Sequence, residues 1–83
     1  MEESVGFDLR TVEVEPGGAR MYHEAEWRDS IVVVARGAIE LECLGGSRYA
    51  LERGAVLWLV GLPLRALRNG GADTAVLVAF SRR

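Results

Sequence analysis

The stretch Gly17-Gly-Ala-Arg-Met-Tyr-His-Glu-Ala-Glu-Trp-Arg-Asp-Ser-Ile-Val-Val-Val-Ala-Arg-Gly37 decides how the rest of the chain is read. It holds the only histidine, His23, then a polar turn, then a strand-forming run that stops at a glycine. Ile31 to Val34 is β-branched throughout and too short for a helix, which predicts a buried strand. Ala19 to Glu26 reads as a short extended segment, with Met21, His23 and Ala25 on one face and Tyr22, Glu24 and Glu26 on the other. Trp27 to Ser30 reads as a loop.

Working outward, the same grammar of short apolar runs and glycine turns continues in both directions. Phe7 to Glu15 alternates, with a slip of phase near Thr11 that predicts a bulge. Pro16-Gly17-Gly18 is a turn. Ala38 to Leu44 sends Ile39, Leu41 and Cys43 to one side and Glu40 and Glu42 to the other. Gly45-Gly46 is a hairpin signal, and Ser47 to Leu51 returns as its second strand. After Glu52-Arg53-Gly54, the run Ala55 to Val60 is apolar on both faces, and Gly61-Leu62-Pro63 breaks it. Leu64 to Arg68 resumes, Asn69-Gly70-Gly71 turns, and Thr74 to Ser81 is the last strand. No segment carries capped helical periodicity. Seven or eight short strands between glycine turns predict an all-β sandwich or barrel.

The 83 residues make one domain spanning residues 1–83, with a polar, frayed terminus expected over 1–6. A hydrophobic share of 49% suffices for a core. The net charge of −2 is spread along the chain, which leaves nucleic-acid binding without an electrostatic footprint. No segment resembles a signal peptide, and no apolar run approaches the ~20 residues of a membrane span. A single cysteine, Cys43, fits a reducing, cytoplasmic setting and reads as a small buried hydrophobe. All ten basic residues are arginine, a hint of a GC-rich bacterial source.

In its glycine punctuation and strand order the chain resembles the cupin superfamily, the small RmlC-like double-stranded β-helix or jelly-roll barrel. That family's first motif is a glycine, five residues, His-x-His, three or four residues, a glutamate, six residues and a glycine. Gly17, His23 and Gly37 fall into place, whereas the second histidine position holds Ala25 and the glutamate position holds Ser30, or Asp29 with a loop one residue shorter. The second motif begins at Gly54 and ends at Asn69; its proline, glycine and histidine positions hold Val60, Leu62 and Arg65. The resemblance implies a cupin-type barrel and, in the family, a metal held by imidazoles and a carboxylate. Of those ligands only His23 remains, and Arg65 is a permanent cation that repels a divalent ion. No metal and no cofactor are therefore expected; the surviving metal route is His23 with Asp29 or Glu26.

The candidate site residues are His23, Arg65, Asn69, Tyr22 and Trp58. His23 is either an acid/base or ligand contact or a remnant at the barrel mouth. Arg65, if turned inward as the resemblance places it, needs an anionic ligand or an internal carboxylate, namely Asp29, Glu24 or Glu26. Asn69 stabilises the turn before Gly70. Tyr22, Trp27 and Trp58 either line a pocket or pack in core and interface. Ile31 to Val34 and Ala55 to Val60 offer apolar side chains to both faces, and with no helix to cover the outer one, a homodimer is expected. Three functions follow: a metal-free binder of a small anionic molecule inside the barrel, a metal-dependent oxygenase or isomerase with a degenerate site at His23, and a dimeric structural or interaction module with a closed barrel. Arg65 and bulky Leu62 favour the first and third, and the first is the preferred expectation.

Overall fold

The computed structural model describes residues 7–82, with side chains over 8–81. The frayed terminus expected for residues 1–6 lies outside the described residues. The described residues form eight strands and one helical turn: β1 (Phe7–Val14), β2 (Ala19–Met21), α1 (Glu24–Trp27), β3 (Ser30–Arg36), β4 (Ala38–Cys43), β5 (Arg48–Glu52), β6 (Val56–Leu57), β7 (Leu64–Arg68) and β8 (Ala75–Arg82). They assemble into two four-stranded antiparallel sheets, ordered β1-β8-β3-β6 and β2-β7-β4-β5. The all-β jelly-roll expectation is correct.

Each strand contributes one apolar face to the space between the sheets, because successive side chains alternate. Val12 and Val14, Val32 and Val34, and Leu77 and Ala79 come from the first sheet; Ile39, Leu41 and Leu67 come from the second. Burial of this set is the main driving force of the fold, at roughly 1.5–3 kcal/mol for each large side chain.

The structure corrects the sequence reading in three places. The slip near Thr11 is not a bulge: β1 pairs with β8 without interruption from Phe7↔Arg82 to Val14↔Ala75. Leu9 instead sits on the outer face, and Arg10 takes the inward phase of Val12 and Val14. Bulges fall elsewhere, between Val34 and Arg36 in β3 and at Arg65 in β7, opposite Glu42 and Cys43 of β4. The extended segment expected up to Glu26 ends at Met21, and Glu24–Trp27 closes into a helical turn, with the Glu26 amide donating to the His23 carbonyl at 2.9 Å. Four residues cannot hold a helix by propensity alone; Trp27, which is fully buried, stabilises the turn by packing beneath it. Ala55 to Val60 yields only the two-residue β6, with Leu59 buried and Trp58 half exposed beyond it.

Asn69 ties the far end of the molecule together. Its Nδ2 donates to the carbonyls of Val14 and Asp73, both at 2.8 Å, and its Oδ1 accepts from the Gly71 amide at 2.9 Å. Its backbone bonds Gly17 and Gly18 at 2.8 and 2.9 Å. Asn69 is almost wholly buried, so truncation leaves carbonyls without partners. Asn69→Ala is expected to lower stability by about 2–4 kcal/mol in urea titrations, and Asn69→Asp, which sets a carboxylate against two carbonyls, by at least as much.

Candidate functional site

The positions that the cupin resemblance aligns do not converge. His23 lies exposed at the N-terminus of α1, and Ala25 is exposed on the turn itself. Ser30 is buried, its hydroxyl donating to the Arg28 carbonyl at 3.4 Å. Asp29 is exposed and takes a left-handed backbone (φ 60°) at the entry to β3. Among the described residues no three His, Cys, Asp or Glu side chains form a metal-binding group. One exposed imidazole beside an alanine and a serine is a donor set that does not fit a transition metal.

Arg65, expected inward, lies outside. The register runs from Glu42↔Ala66 to Cys43↔Leu64, leaving Arg65 as the extra residue of a bulge. A bulge re-aims the side chain it carries. The guanidinium donates to the Leu44 carbonyl at 3.3 Å and stands 3.9 Å from Glu42. Its carboxylate neighbour is thus Glu42, not Asp29, Glu24 or Glu26. Arg68 also donates to Glu42, and Arg48 to Glu40 at 3.2 Å, so the outer face of this sheet is a lattice of ion pairs. The Arg68 hydrogen bond, opposed by partial burial and reinforced by the charges of Arg68, Arg48 and Arg65, holds the Glu42 carboxyl below its ordinary range.

The mouth is closed by a constellation that the sequence reading did not assemble. Arg10 reaches in from β1 and Arg20 from β2, the edge strands of opposite sheets, and Glu26 of α1 lies between them. Arg10 donates to the Glu26 carboxylate and to its backbone carbonyl, each at 2.9 Å, while Arg20 donates to the same carboxylate oxygen. The Arg10 guanidinium also stands 4.9 Å from the centroid of the Trp27 ring, within cation–π range. Burial pushes the Glu26 carboxyl up, but the hydrogen bonds and charges of Arg20 and Arg10 outweigh it and hold the group below its ordinary range. Arg10 carried a readable signal: it shares the phase of Val12 and Val14.

The remaining candidates sit apart. Tyr22 packs against the core and donates its hydroxyl to the Leu59 carbonyl at 3.1 Å; burial and the nearby Glu24 raise its pKa. Trp58 is half exposed, remote in role from the buried Leu59 that follows it. Both amide protons of Asn69 are already donated to carbonyls, so it has none left for a ligand.

Two facing antiparallel sheets with a helical turn across one end define a small cupin-type barrel. The chain is similar in structure to an RmlC-like cupin protein from Desulfovibrio desulfuricans, with a TM-score of 0.67 and 24% identity over 98% of this chain and 76% of that one. It is similar also to protein NMB1881 from Neisseria meningitidis, with a TM-score of 0.66 and 13% identity over 99% of this chain and 79% of that one. No protein-family model matches the sequence, and no curated protein matches it. The likeness is one of fold.

Because the Glu26 pKa is lowered in the fold, its contribution to stability is present above the unfolded value of about 4.3 and is lost as pH falls through the folded value. Glu26→Gln is expected to destabilise the protein by about 1–3 kcal/mol at neutral pH, discounted toward the lower end because both arginines are part-exposed. Urea titrations of both proteins should converge as pH falls below about 4.

Proposed function

We propose that this chain is a closed cupin-type barrel that works as a dimeric interaction module, with the outer face of the β1-β8-β3-β6 sheet as its contact surface. The observation that carries the reading is the contrast between the two outer faces. The β2-β7-β4-β5 sheet turns paired Glu and Arg side chains to water. The other sheet turns out Leu9, Phe80 and Ile31, which lie opposite one another across three strands, and beside them Val33 and Val78. Leu9 is 65% exposed, Ile31 46% and Phe80 37%, and with Val33 they line one wholly apolar hollow. A surface of this kind marks a place of association.

A second copy of the chain is the occupant that suits it. Strands of eight, eight, seven and two residues, at ~3.3 Å per residue and ~4.8 Å spacing, give roughly 400 Å² in projection. With side-chain relief, that approaches the ~600 Å² per partner of the smaller specific interfaces. Twisted sheets pack face to face in an aligned manner, and a two-fold axis lets one apolar face cover its own copy. An anionic ligand inside the barrel, the alternative from the sequence, has weaker support: Arg65 lies outside, Arg10 and Arg20 are engaged by Glu26, and Trp27 fills the mouth.

Sedimentation equilibrium is expected to give a dimer in the micromolar range. Phe80→Glu, which places a carboxylate at the centre of the face, is expected to weaken dimerisation at least about a hundredfold, equivalent to ~2.7 kcal/mol, while far-ultraviolet circular dichroism stays unchanged. A wild-type protein that remains monomeric at about 100 μM overturns the reading.

A further inference from the structure

At the end of the first sheet, away from the mouth, a cleft of about 610 Å³ is lined by Glu13, Arg36, Arg53, Asp73 and Thr74, with Gly37 at its base. Its volume falls within the ~300–1,000 Å³ of small-molecule sites. Local structure builds it. The β3 bulge between Val34 and Arg36 shifts the alternation by one residue and turns Arg36 to the outer face, opposite Val76. Val76 is also the partner of Glu13, so Glu13, Val76 and Arg36 form one row across three strands. The acid and the guanidinium start two strand spacings apart, ~9.5 Å, with a valine between them.

The other charged pair comes from turns that are firmly held. The Arg53 turn is pinned to β3 by the Gly54 amide donating to the Val34 carbonyl and the Val34 amide to the Ala55 carbonyl, both at 2.9 Å. The Asp73–Thr74 turn presses on Gly37, whose φ is 71°; a Cβ there would stand 2.9 Å from the Thr74 carbonyl oxygen. Glycine is required at this point on both counts.

Arg10, Arg20, Arg48, Arg65 and Arg68 are all engaged by carboxylates. Among the described residues, the side chains of Arg36, Arg53, Glu13 and Asp73 make no hydrogen bond or ion pair. Two guanidinia and two carboxylates therefore share one cleft without neutralising one another. We propose that this cleft binds a small zwitterion of the free α-amino-acid type, its carboxylate held by the guanidinia and its ammonium by Glu13 and Asp73. A planar guanidinium fork matches a carboxylate, and an acid pair matches a compact ammonium. The site is independent of the barrel interior and adjoins the apolar face at its polar end.

The test is a titration of the common free α-amino acids, followed by amide NMR shifts of Gly37 and Thr74. At least one amino acid is expected to shift both at about millimolar concentration or below. Its N-acetyl and carboxamide derivatives, each lacking one charge, are expected to bind about tenfold more weakly, as is the free amino acid to Arg53→Gln and Asp73→Asn. No shift with any amino acid overturns the proposal, and so does an N-acetyl derivative that binds as well as the parent. If Arg53→Gln alters the sedimentation behaviour and leaves the titration unchanged, the cleft is the rim of the interface and the proposal fails.

Discussion

One carboxylate holds the two halves of this molecule to each other at the mouth. A jelly-roll of this size has edge strands on opposite sheets that face one another across a gap, here β1 and β2, and no backbone hydrogen bonds join them. Glu26 spans the gap through Arg10 and Arg20. The helical turn that delivers Glu26 also delivers Trp27 into the core beneath it, and Arg10 lies over the indole. The cost is visible in the same place: the indole Nε1 and the Arg20 Nε are buried without a protein partner. Three charged groups and an aromatic ring therefore occupy this end of the barrel.

With the mouth closed in this way, the outside of the molecule carries its chemical variety. One sheet is solvated by a lattice of arginines and glutamates, which also blunts its tendency to associate. The other is apolar along its middle and charged at one end. The division follows from strand alternation: β4 gives Glu40 and Glu42 to one outer face, while β1, β3 and β8 give Leu9, Ile31, Val33, Val78 and Phe80 to the other.

Much of this was legible in the chain. Strand alternation and glycine turns named an all-β sandwich or barrel because they report local steric and burial preferences, which need no tertiary partner. Asn69 was read as the stabiliser of its turn, and the structure gives it that geometry while adding a reach to Val14 that no local pattern encodes. Glu26 was offered as a partner for Arg65; its real partners, Arg10 and Arg20, are 16 and 6 residues away.

The sequence by itself determined the fold class and the inward sets such as Ile39 and Leu41. Tertiary structure alone decided where the bulges fall, and so which way Arg36 and Arg65 point. A bulge is a mismatch of length between two paired strands, so neither strand's own pattern contains it. The same holds for the turn at Glu24–Trp27: local preference permits strand, loop or helix there, and the burial of one tryptophan beneath Arg10 selects the helix.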